Sequence, residues 1–219
     1  LNDYIKPLLE GRDVNTFLEN ARFFDTLRIE GQLLHTAVRY GLSQALLDAT
    51  ALATKRLKAE VVCDEWHLPC VPEPIPLFGQ SGDDRYLAVD KMILKGVDVL
   101  PHALINNVEE KLGQKGEKLR TYVRWLSDRI LQLRQSSDYR PTLHIDVYGT
   151  IGLIFAMEPK RCAEYIASLE QEAQGLPLYI EGPVDAGNKA DQIQALAAIT
   201  NELARLGSGV KIVADEWCN

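Results

Sequence analysis

From about residue 74 onward, short apolar runs alternate with helix-length amphipathic segments, and an alternation of that kind leaves few folds open. The runs "PIPLF" (74–78), "VDVL" (97–100), "TLHIDV" (142–147), "PLYIE" (177–181) and "VKIVAD" (210–215) predict strands. Between them, "DDRYLAVDKMILKG" (83–96), "GEKLRTYVRWLSDRILQLRQ" (116–135), "PKRCAEYIASLEQEAQ" (159–174) and "KADQIQALAAITNELARLG" (189–207) predict helices. Leu119, Val123, Leu126, Ile130 and Leu133 make one apolar stripe on the second of these. Pro159 suits a first turn, and Gly207 suits a stop. A repeated βα unit builds a parallel sheet, either doubly wound or closed into a TIM-type barrel. The barrel is favoured because the connections look like single helices of similar length and no glycine-rich dinucleotide fingerprint follows the first strand.

The preceding segment reads differently. "VNTFLENARFFDTL" (14–27) carries Val14, Phe17, Leu18 and Phe24 near one stripe, and residues 35–59 repeat Val38, Leu42, Ala45, Leu46 and Ala49 at helical spacing. The prolines of "LPCVPEPIPLF" (68–78) then end the helical texture. The predicted organisation is a helical part over 1–70 and βα units over 71–219.

Three of the predicted strands end in an acid: Asp146, Glu181 and Asp215, 35 and 34 positions apart. That spacing is close to one strand plus its return helix, so the three tips are expected side by side at the C-terminal ends of neighbouring strands, where barrel active sites lie. Adjacent strands are about 4.8 Å apart. Two carboxylates about 4 Å apart repel by roughly 4 kcal/mol at an effective dielectric of 20, which a divalent cation removes. Any one such acid reads as a solvated turn residue or helix cap. Three on successive units read as a metal site, and ligands that are all oxygen suit Mg²⁺.

Composition excludes other classes of function. The 219 residues are 46% apolar, enough for a sizeable core, and the formal charge of −7 is interleaved rather than clustered. A nucleic-acid partner, which requires a basic face, is therefore not expected. No run of 18 apolar residues and no signal-peptide pattern is visible, so neither membrane nor export is expected, and the expected location is the cytoplasm. The scattered Cys63, Cys70, Cys162 and Cys218 suit reduced thiols. The chain opens at Leu1 without a methionine and stops just after an acid-tipped strand, which reads as a piece of a longer protein.

The segments "IPLFGQSGDDRY", "VLPHALINNVEEKLG", "TLHIDVYGTIG", "LYIEGPVDAGNK" and "VKIVADEWCN" together resemble the methylaspartate ammonia-lyase family of the enolase superfamily. The likeness runs along essentially the whole chain. It implies an α+β capping domain, represented here by its helices, followed by the first five βα units of a modified TIM barrel. It also implies Mg²⁺ held by Asp146, Glu181 and Asp215, and a reaction that removes ammonia from L-threo-3-methylaspartate to give mesaconate. In that reaction the cation acts as a Lewis acid beside the carbon that loses its proton. By the same resemblance His102 contacts the substrate carboxylate and serves as base for the other epimer, and Gln80 donates to a carboxylate. The family's principal base, a lysine ending a sixth strand, has no counterpart among these residues, so the fragment is expected to be inactive by itself. Glutamate fermentation and a homodimer are likewise family expectations.

Competing readings are another enzyme of the superfamily, such as an acid-sugar dehydratase or racemase, and an inert truncated protein with a structural or binding role. The zinc-like "CDEWHLPC", with Cys63, His67 and Cys70, reads as a boundary loop. His35 on a helix and His144 in a strand are explained by packing or a hydrogen bond. Lys211 reads as barrel-layer or interface structure rather than as a Schiff-base lysine.

Overall fold

A computed structural model describes residues 3–71 and 73–215; Cys218 and the end of the "VKIVADEWCN" segment lie outside them. The chain forms two compact units, Leu1–Pro74 and Ile75–Asn219.

The first unit runs α1 (Lys6–Leu9), α2 (Phe17–Thr26), β1 (Arg28–Ile29), β2 (Gln32–Leu33), α3 (Thr36–Thr54) and α4 (Lys58–Glu65). Phe17, Ala51 and Val61 form its small core, with Leu46 and Leu47 packed against them. The first amides of α2 are satisfied from a distance: the Glu65 carboxylate accepts from Phe17 N at 2.8 Å and from Leu18 N. An acid at a helix N-terminus satisfies orphan donors and interacts favourably with the positive end of the helix dipole. The antiparallel pair β1–β2 departs from the purely helical reading. Its turn residues, Glu30 at φ 53° and Gly31 at φ 82°, both lie in the left-handed region that a two-residue hairpin demands. So short an element leaves no periodicity to read.

The second unit runs α5 (Leu87–Leu94), β3 (Val99–Leu104), a single π-helical turn (Val108–Leu112), α6 (Glu117–Leu133), β4 (Thr142–Asp146), α7 (Thr150–Ile154), α8 (Pro159–Ser168), β5 (Leu178–Glu181), α9 (Lys189–Arg205) and β6 (Lys211–Val213). Its sheet has the order β3-β4-β5-β6 and is parallel throughout, an arc of the predicted barrel type. The predicted stripe of α6 is its buried face: Leu119, Val123, Leu126 and Ile130 are fully buried against the sheet residues Leu100, Leu143, Ile145 and Ile180. Leu126→Ala is expected to cost about 2–5 kcal/mol, as buried Leu→Ala changes do, measured as a fall in the urea unfolding midpoint at unchanged slope. Among the described residues, no helix is long and apolar enough to cross a membrane.

Two strand predictions require correction. "PIPLF" is not a strand; it contributes one isolated parallel bridge, Phe78 to Val99, followed by another at Gly82 to Ala103. Pro74 and Pro76 have no amide to donate, and proline is excluded from paired strand interiors for that reason. The second strand is not "VDVL" (97–100) but Val99–Leu104, and it therefore contains His102.

Candidate active site

The C-terminal ends of β3, β4 and β5 are held level by their ladders. Asp146 pairs with Leu104 on one side and with Glu181 on the other. The ladders continue past the strands, with Ile105 N donating to Asp146 O at 2.7 Å and Val147 N to Glu181 O at 3.0 Å. Gly149, at φ 71°, lets the next loop dock: its amide donates to Gly182 O at 2.7 Å. A Cβ there would stand 3.1 Å from both the Asp185 backbone nitrogen and Cβ. The loops behind the two acids are thereby fixed to each other.

Asp146 and Glu181 are consequently neighbours on one rung, and both are buried, at 2% and 8% exposure. Asp215 is not on that rung. Glu181 pairs with Val213, where β6 ends, and Asp215 follows two residues later, exposed. Equal spacing in sequence therefore does not give equal register. The charges of all three acids nonetheless act on one group. The Tyr148 hydroxyl is held above its ordinary range, first by burial, then by the charge of and a hydrogen bond to Asp146, and then by the charges of Asp215 and Glu181.

His102 reaches the same place by a local distortion of β3. The ladder slips between Pro101 and Ala103, and His102 sits in the bulge at φ 46°. A non-glycine residue at positive φ in a strand is strained, and bulges of this kind re-aim a side chain. Here the imidazole Nε2 lies 3.0 Å from Glu181 Oε2 and 3.9 Å from Asp146 Oδ2. Its Nδ1 is buried with no hydrogen-bond partner among the described residues. Gln80 is exposed and lies two residues beyond Phe78, between Gly79 and Ser81, whose amides donate to β3 carbonyls. The alternation of extended backbone puts it on the side of Phe78, whose ring packs against His102 and His144 at 5.3 and 5.0 Å.

Sequence reasoning set His144 and Tyr148 aside or passed over them. His144 is 6% exposed, and its Nε2 lies 2.8 Å from Glu181 Oε2, inside ion-pair distance but without hydrogen-bond alignment. Burial holds its imidazole below the ordinary range, against the opposing pull of Glu181. The available signal was strand alternation: His144 stands two residues before Asp146 and therefore shares its face. His102, His144 and Glu181 bring ligand atoms within 4.8 Å of one another. Their two nitrogens and one oxygen suit a borderline metal, whereas Mg²⁺ prefers all-oxygen ligands, such as the carboxylates expected from the sequence. The buried carboxylate pair fits such a cation, because two adjacent anions removed from water require a positive charge beside them.

Among the described residues no metal-compatible cluster includes Cys63, His67 or Cys70. His35 caps α3, its Nδ1 accepting from Ala37 N at 3.2 Å, and Lys211 is exposed in β6 opposite Tyr179.

The chain matches two family models, the methylaspartate ammonia-lyase N-terminus over residues 1–67 and the methylaspartate ammonia-lyase C-terminus over residues 69–219. It is 86% identical over 219 residues to a methylaspartate ammonia-lyase of Citrobacter amalonaticus and 52% identical over 215 residues to that of Clostridium tetanomorphum. These alignments take in 100% and 98% of the chain but 53% and 52% of the relatives, so the chain spans about half the length of the curated relatives it matches. The Citrobacter amalonaticus enzyme containing (2S,3S)-3-methylaspartic acid superposes with a TM-score of 0.93, covering all of this chain and 53% of that one. A Mg complex of the β-methylaspartase from Clostridium tetanomorphum, 51% identical, superposes with a TM-score of 0.88 over the whole of this chain and 53% of that one.

Proposed function

The chain belongs to the methylaspartate ammonia-lyase family, and on that footing we propose that it forms the cation site and one catalytic face of an enzyme converting L-threo-3-methylaspartate to mesaconate and ammonia. The observation that carries this reading is the convergence of Asp146, Glu181 and His102 at the ends of three adjacent parallel strands. The 86% identical relative containing (2S,3S)-3-methylaspartic acid supports the substrate, and the Mg complex of the second relative supports the cation.

Asp146, Glu181 and Asp215 would hold Mg²⁺. When bound, the ion supplies Lewis-acid stabilisation of the charge that develops on a substrate carboxylate as the neighbouring carbon loses its proton. The remaining work falls to side chains. The elimination takes a proton from C3, forms the C2–C3 double bond and sends the C–N electron pair out with the amine. His102 offers an imidazole nitrogen on the face the acids share, where it can bind the substrate carboxylate or remove the proton of the opposite epimer. The Gln80 amide can donate to a carboxylate from the adjacent segment. The bulge at His102 turns that imidazole towards the acids before substrate arrives, and catalysis depends on such preorganisation.

The test is a chimera in which residues 1–219 replace the matched half of the Citrobacter amalonaticus relative. It is expected to form mesaconate, followed by ultraviolet absorbance, at a rate within about tenfold of that relative, about 1.4 kcal/mol in barrier height. A correctly folded chimera without elimination would refute the assignment. Cytoplasmic residence and a homodimer belong to the same reading; free Cys63, Cys70 and Cys162 support the former. Sedimentation of the chimera tests the latter.

A further inference from the structure

Glu181 Oε2 is approached by two imidazoles at once, which is more than the proposed chemistry uses. His102 Nε2 stands 3.0 Å away in hydrogen-bond geometry, and His144 Nε2 stands 2.8 Å away without it. The two rings differ in how far they are enclosed. His144 belongs to the regular part of β4, in register with Pro101 and Tyr179, and its ring is enclosed by Phe78, His102 and Tyr179 at centroid distances of 5.0, 5.2 and 6.4 Å. His102 stands in a bulge, and its side chain is 13% exposed against 8% for His144. A base that must also meet substrate cannot stay bound to Glu181, whereas an enclosed imidazole can.

Resting on the cation reading above, we infer that His144 is the positioning residue of the metal centre: it would hold the Glu181 carboxylate in place for the cation and release His102 for the substrate. Carboxylates that ligate metals are themselves oriented by hydrogen bonds from a surrounding shell, and losing such a partner costs about 10–100-fold in metal affinity. The buried His144 Nε2, which has no aligned hydrogen bond among the described residues, is the donor available for that task. A small rotation of the ring or carboxylate aligns a contact already at 2.8 Å. His144 touches neither the proton nor the leaving amine, so it acts through Glu181 alone.

Calorimetric titration of the chimera with MgCl₂ tests this independently of turnover. His144→Phe keeps an aromatic ring among Phe78, His102 and Tyr179 but offers no nitrogen, and is expected to weaken Mg²⁺ binding about 10–100-fold. His144→Gln places an amide nitrogen near the position of Nε2 and is expected to stay within about threefold of the parent. At saturating Mg²⁺ the kcat of His144→Phe is expected to return towards the parent value, which a loss of catalytic machinery would not allow. Parent-like Mg²⁺ affinity in His144→Phe, or equal damage in His144→Gln, would overturn the assignment. Should His144→Phe fail to fold, a crystal structure of the unsubstituted chimera with Mg²⁺ decides it. His144 Nε2 and Glu181 Oε2 within about 3.2 Å support the inference, and their separation by a water or a wider gap overturns it. Unchanged Mg²⁺ affinity in Glu181→Gln would instead overturn the cation reading itself, so the two failures are distinguishable.

Discussion

Glu181→Gln in the chimera is expected to lower turnover by at least about a thousandfold and to remove Mg²⁺ binding at millimolar concentration. The reason is the position of the carboxylate. Glu181 is the middle acid, level with Asp146 and approached by both imidazoles, so in the proposed reading it joins the cation site to the base. Metal charge stabilisation is worth several kcal/mol at a transition state, and about 4 kcal/mol is a thousandfold in rate. Asp146→Asn is expected to have a comparable effect, since the residue is 2% exposed and on the same rung. Asp215→Asn is expected to lose less, about 10–100-fold in Mg²⁺ affinity, because an exposed ligand two residues beyond the strand is more readily replaced by water. Calorimetry showing parent affinity in all three variants would remove the metal assignment altogether.

His102→Ala is expected to abolish most reaction of the 3-epimer, by about 10²–10⁴-fold, the usual contribution of a positioned general base. The natural diastereomer, which loses its proton on the opposite face, is expected to suffer less. The asymmetry follows from geometry: His102 occupies one side of the acid cluster, 3.0 Å from Glu181 and 3.9 Å from Asp146, and its bulged backbone holds it there. Parallel assays of both diastereomers at saturating Mg²⁺ measure it. Equal loss for the two would make His102 a binding residue only. Because Phe78 and His144 pack against its ring, His102→Gln should accompany the alanine variant, filling more of the space with a carboxamide that cannot act as a base.

What the sequence by itself determined is whatever depends on short-range spacing. The stripe from Leu119 to Ile130 marks the buried face of α6 because 3.6-residue periodicity is a property of the helix alone. The repeat of apolar run and amphipathic segment announces a parallel sheet, since parallel strands cannot be joined by a tight turn. The acids at 146 and 181 could be matched as tips of successive strands because each closes an apolar run. Tertiary structure decided what depends on pairing between distant segments. Register raised Asp215 above the rung shared by Asp146 and Glu181, although the spacings of 35 and 34 residues look equivalent. The slip at Pro101 and Ala103 put His102 into a bulge inside β3, and no local propensity specifies a slip that only the neighbouring strand defines. His144 reads as an ordinary strand histidine until β5 is laid beside β4, because only that juxtaposition brings Glu181 within 2.8 Å of its ring. A side chain's face follows from its own strand; what it touches is set by the strand next to it.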